Sequence, residues 1–159
     1  MKLRHFLSVL FLLVPPLPGY ADGHLPAALT CIDGLEQGGS WDMCRAMIFE
    51  PCQDHSVGSE PHLSCLRGEQ AQWVALRDSE LAGLVGVLTA DATENMADLM
   101  EHWYVSVATK CDAVAAERAG ISAQAAVVGC DISETAGLTS ALRQCRLGQS
   151  NAEFCVRED

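Results

Sequence analysis

Eight cysteines constrain this chain more than any other feature. They stand at 31, 44, 52, 65, 111, 130, 145 and 155, and no two are separated by just two residues. That spacing excludes the Cys-x-x-Cys pairs of zinc ribbons and thioredoxin-type sites. An even count behind an export leader reads as a disulfide framework in an oxidising compartment. Eight cysteines leave many connectivities open. The spacing favours neighbours: Cys31 with Cys44, Cys52 with Cys65, Cys111 with Cys130 and Cys145 with Cys155. Each such bridge closes a modest loop and stabilises by roughly 2–4 kcal/mol.

The leader itself is readable. Lys2 and Arg4 precede the apolar run 6–14 (FLSVLFLLV), which is followed by 15–21 (PPLPGYA). A charged start, a short apolar core, a Pro-rich breaker and small residues at Gly19 and Ala21 form a secretory signal, with cleavage expected after Ala21. The run is shorter than the roughly 20 apolar residues of a membrane span. No cysteine follows it closely enough for lipid attachment, and no other segment is suited to stable membrane insertion. The expectation is Sec-dependent export of a soluble monomer to the bacterial periplasm or beyond.

Charge narrows the partners. The chain carries ten Lys+Arg against twenty-one Asp+Glu, a formal net charge of −11, and loss of Lys2 and Arg4 with the leader makes it −13. Such a surface disfavours nucleic acid and anionic membranes, and attracts basic proteins.

Apolar periodicity then sets the fold. Residues 22–61 are rich in Gly, Pro and Ser and read mostly as loop, with a short helix over 41–49. From Ser59 and Pro61 a helix starts whose stripe is Leu66, Gln70, Trp73, Arg77, Leu81, Leu84 and Leu88. Asp91 and Glu94 resemble a capping box for a second helix, with Met96, Leu99, Met100, Trp103, Val107, Cys111 and Val114 on one face. Gly120 stops it, Ser122 caps a third helix, and Gly148 ends that one. No strand alternation or internal repeat competes. The expected fold is all-α: a small disulfide-stapled bundle of three long antiparallel helices with an irregular N-terminal segment. The expected divisions are the signal peptide at 1–21, the disulfide-bonded N-terminal segment at 22–61, the helical domain at 62–148 and a C-terminal tail at 149–159. In a hairpin of the second and third helices Cys111 and Cys130 come level, which makes theirs the best supported bridge.

Catalytic constellations are lacking. The sequence has no phosphate-binding glycine loop, no nucleophile elbow and no His-Glu-x-x-His. Asp54, His55 and Ser56 are adjacent, whereas real triads converge from separate segments. His55 and His62 with Asp54 or Glu60 lack any fixed metal geometry, and His102 reads as a surface residue. Carboxylates pair at Asp78 and Glu80 and at Asp98 and Glu101, but glycosidase-type chemistry needs two facing each other across a cleft, and Asp98 and Glu101 share one exposed helix face and read as solvating charges. No enzyme, metal or cofactor is expected.

The pattern Gln70-x2-Trp73-x3-Arg77-Asp78, followed by Cys130-x4-Thr135-Ala136 and Leu142, resembles the LprI-type lysozyme-inhibitor N-terminal family. The likeness covers about residues 60–145, with Cys31 and Cys44 matching the family's first cysteine pair. It implies a small, secreted, helical, cysteine-bridged bacterial protein. This chain departs from the pattern near Leu81, where the family often has a cysteine, and after Ala136, where Gly137 and Leu138 replace a frequent arginine. The shared residues Gln70, Trp73, Arg77, Asp78 and Thr135 read as structural, with Arg77 over the Trp73 ring or paired to an acid on the second helix.

The function expected is thus non-enzymatic binding of a basic protein, with lysozyme as the specific target. The alternative is a structural or envelope-stress periplasmic protein without lysozyme contact. The stretch 53–64, closed by Cys52 and Cys65 and carrying Asp54, His55, Glu60 and His62, is the candidate partner-binding loop.

Overall fold

The computed structural model describes residues 24–35, 40–150, 152 and 154–157. The expected leader at 1–21 lies outside the described residues, as do 36–39 of the Gly-rich turn. Five α-helices follow one another: α1 (His24–Asp33), α2 (Arg45–Phe49), α3 (Glu60–Leu84), α4 (Ala90–Ala115) and α5 (Gly120–Arg146). Single 3-10 turns, Trp41–Cys44 and Glu50–Cys52, flank α2. The described residues contain no strand, only one isolated antiparallel bridge between Leu88 and Arg157. The all-α expectation and the three long helices are borne out.

Local chemistry explains the ends. Ser59 caps α3, its Oγ accepting from the His62 N–H with Pro61 in the first turn. α3 stops at Leu84 rather than running to Leu88, because Val85 turns extended and Gly86 takes φ +79°. α4 is capped by Thr89, whose Oγ1 accepts from the Ala92 N–H, so the cap expected at Asp91 lies two residues too late. α5 likewise starts at Gly120, ahead of Ser122, with Ala119 in the extended N-cap position. Gly148, at φ +73°, terminates it as expected.

The N-terminal segment holds more helix than its composition suggests. Residues 24–33 form α1, and Ala28 and Ile32 are buried with Cys44, Ile48 and Cys52 against Leu63, Leu66 and Trp73 of α3 and Ile132 of α5. It shares the main core and is not held by disulfides alone. A second cluster lies at the other end. There Leu84, Leu88, Ala92, Met96, Leu142 and Cys145 pack with Phe154 of the tail.

The long helices are not equal partners. α5 packs against both α3 and α4, and most extensively against α3. Contacts from α3 to α5 climb together: Arg67 to Gln124, Gln70 to Asp131, and Glu80 to Arg143 and Arg146. α3 and α5 therefore run parallel, although no tight turn joins them. α4 returns antiparallel between them in sequence and lies alongside α5. Its buried residues are Ala92, Met96, Val107, Cys111 and Ala115, while Val114, expected inward, is exposed.

All four expected disulfides form, with Cα–Cα distances of 5.8, 5.7, 5.4 and 5.5 Å in chain order. Cys111–Cys130 joins α4 to α5, and Cys145–Cys155 ties the tail to α5. The tail is further fixed by the Thr89 N–H donating to the Val156 carbonyl at 3.0 Å.

Candidate functional site

The candidate loop is shorter than its sequence suggested. α3 already begins at Glu60, so residues 60–64 are helical and the loop proper is 53–59. Cys52–Cys65 clamps its base. The Gly58 N–H donates to His62 Nδ1 at 3.4 Å, which makes His62 an internal brace. Gly58 takes φ +78° and packs on Ser122 at the start of α5, where an added Cβ would lie 3.4 Å from the Ser122 Cβ. Asp54 and His55 are exposed, and Val57, at 87 % exposure, forms an apolar tip. Glu60 is exposed beside it, at the first turn of α3.

Of the motif residues of α3, Trp73 and Arg77 turn inward, Gln70 is half-buried and Asp78 is exposed. Trp73 is fully buried, and Gln70 Nε2 donates to Asp131 Oδ2 on α5 at 2.6 Å. Arg77 lies neither over Trp73 nor against an acid of α4. Its Nη2 donates to the adjacent Asp78 at 2.7 Å. Its guanidinium faces the α4 rings of Trp103 at 5.8 Å and Tyr104 at 5.2 Å. The correction has a simple cause. α4 meets this level of α3 with aromatic side chains, and its acids point to solvent. Gln70, Arg77 and Asp78 thus have partners within the chain, as a buried amide or guanidinium requires, whereas the Thr135 Oγ1 makes no hydrogen bond with any described group. Thr135 is buried, its carbonyl accepting from Thr139 Oγ1 at 2.7 Å.

A second polar cluster lies one turn further along α3. Glu80 is only 4 % exposed and accepts from Arg143 Nη1 at 2.7 Å and Arg146 Nε at 2.5 Å. Arg143 also forks onto both carboxylate oxygens of Asp33, bringing α1 into the same network. Burial pushes the Glu80 carboxyl up, but the hydrogen bonds from Arg146 and Arg143 outweigh it and hold it below the ordinary value. The Asp33 carboxyl is lowered chiefly by its hydrogen bond from Arg143. Glu80 is therefore a buried, paired charge. Its place three residues after Arg77, on the buried stripe, was the available signal.

No family model matches the chain, and comparison with curated proteins and solved structures likewise finds no match.

His55, His62 and His102 lie on separate elements, with His102 Nδ1 against its own helix at the Asp98 carbonyl. Among the described residues no group of three or more His, Cys, Asp or Glu is placed to hold a metal ion. Among the described residues no helix is long and apolar enough to cross a membrane.

A concavity lies elsewhere, a groove of about 750 Å³ along α5. Ala125, Gly129, Ser133 and Gly137 form its floor. One wall is Trp41, Arg45 and Phe49, and the other is Trp103 and Lys110 of α4 with Arg118 of the turn that follows it. Lys110 Nζ contacts Glu134 Oε1 at 2.6 Å. Sequence reasoning passed over this groove. The signal was present as four small residues at every fourth position, 125, 129, 133 and 137.

Proposed function

We propose that the chain is an exported, non-enzymatic binding protein of the LprI-like type that inhibits a lysozyme through the 53–59 loop. The exposed Val57, held on a disulfide-clamped loop beside Asp54, His55 and Glu60, carries this reading. A clamped loop loses little conformational freedom on entering an active-site cleft. An acidic surface steers a basic enzyme toward it, and the net charge of −11 supplies the field. The four disulfides suit an oxidising, extracytoplasmic setting. The dispersion of the histidines supports binding over catalysis.

The test is inhibition by the oxidised protein of several lysozyme types, with Val57→Asp and His55→Ala as loop variants. Loss of inhibition in a variant that melts like wild type supports the loop as the contact. Full lysozyme activity at micromolar excess of wild-type protein would refute the reading and leave an envelope structural role as the alternative.

A further inference from the structure

The groove along α5 has features that neither the fold nor the loop explains. Outside the leader the chain has eight basic residues, the ten of the sequence less Lys2 and Arg4. Arg77, Arg143 and Arg146 are held by Asp78, Asp33 and Glu80, and Arg67 by Gln124. Three of the others, Arg45, Lys110 and Arg118, line this one groove, with Asp42 and Glu134 as its acids. A net positive groove on a strongly acidic protein is a reversal of the surrounding field.

Three registers fix the arrangement. Trp41 rests on Gly137, where an added Cβ would lie 2.8 Å from the Trp41 Nε1. Phe49 reaches Gly129, at 4.0 Å from such an atom. Arg45 sits midway between Trp41 and Phe49, as Ser133 does between Gly129 and Gly137. From the other wall, the Lys110–Glu134 contact and the Cys111–Cys130 bridge bring Lys110 to the same level. Arg45 and Lys110 thus line opposite walls of the groove whose floor includes Ser133, Lys110 with Glu134 as its ion-pair partner. The guanidinium of Arg45 pairs with no described residue. Ser133 is 6 % exposed, and its Oγ makes no hydrogen bond with any described group. A buried hydroxyl without a partner is uncommon in a folded protein and calls for an explanation.

We propose that this groove binds a small anionic amphiphile. Its acidic head lies between Arg45 and Lys110 above Ser133, and its apolar or aromatic body runs along the floor between Trp41 and Trp103. The volume falls within the range of about 300–1,000 Å³ for small-ligand sites, and partly exposed aromatic walls with a few convergent polar groups are their usual lining. The same cations repel a basic protein, so the site is separate from the loop and stands or falls independently of lysozyme binding.

The oxidised protein is titrated with anilinonaphthalene sulfonate and, in parallel, with its uncharged counterpart phenylnaphthylamine. One saturable site for the sulfonate is expected, with displacement by laurate but not by acetate. Arg45→Gln disturbs no internal contact and weakens sulfonate binding by about 10-fold, the loss of one charge-assisted contact. Adding Lys110→Gln weakens it further, while Arg67→Gln, outside the groove, leaves it unchanged. Ser133→Ala lowers affinity yet leaves the melting temperature equal or higher, which a purely structural serine would not do. Equal binding of the uncharged probe overturns the proposal. So does wild-type affinity in Arg45→Gln.

Discussion

Replacing Arg143 by methionine tests the polar logic of the bundle most sharply. The substitution keeps length and apolar volume but removes three hydrogen bonds, two to Asp33 and one to Glu80. The Asp33 arm is weak, because that carboxylate is 39 % exposed, and contributes about 0.5–1 kcal/mol. The Glu80 arm is strong. A carboxylate 4 % exposed loses one of its two cationic partners, at a cost of about 1.5–3 kcal/mol. Together the expected loss is about 2–4 kcal/mol, or roughly 10 °C in melting temperature for a domain of this size. The pH dependence carries a further signature. Both carboxyls titrate below their ordinary values in the folded protein, so their contribution is complete above the unfolded value of about 4 and disappears as pH falls through the folded value. The gap between wild type and Arg143→Met is therefore widest at neutral pH and narrows in acid. Thermal melts at pH 7, 5 and 3 measure it. A variant within about 0.5 kcal/mol of wild type at neutral pH, or a gap that persists unchanged in acid, would refute this account of the network.

Other expectations follow from single contacts. Arg77→Ala removes a guanidinium facing Trp103 and Tyr104 and lowers stability by about 1–2 kcal/mol, and any inhibitory activity should fall only in proportion to unfolding. Thr89→Ala costs about 1 kcal/mol as a lost N-cap, whereas Asp91→Ala costs less, since its side chain caps no helix; chemical denaturation of the pair distinguishes the two. Gly137→Ala drives a methyl into the Trp41 indole and destabilises by about 1–3 kcal/mol, with a red shift of tryptophan emission as the indole moves outward.

How much of this was legible depends on the kind of signal. Cysteine spacing and helical periodicity are local, and they placed the four bridges and the three long helices. Some helix ends were legible, at Ser59 and Gly148, and others were not, as at Ser122, where α5 starts two residues earlier. At the start of α4 the expected cap, Asp91, lay two residues past the true one, Thr89. α1 was missed because it is only ten residues long and Gly23, Pro26 and Gly34 in and around it weight the composition toward loop. The partners of Arg77 and Glu80 were not legible, since they depend on which faces of α4 and α5 meet α3, a question of packing that one-dimensional spacing cannot answer. The groove floor was written in the sequence, but small residues at every fourth position also mark close helix packing, and only the flanking Trp41 and Trp103 distinguish the two.

The disulfide pattern bears on how the molecule is made. Every bridge joins consecutive cysteines, and no bridge spans another. For a chain that meets its oxidant N-terminus first, order of arrival is then enough information. Each cysteine finds its partner as the next thiol to emerge, and the native set is reached without a wrong pair that must be exchanged. None of the four crosses from α3 to α5, so oxidation can finish before the bundle's principal interface has closed, and the polar contacts of that interface are left to choose the final register.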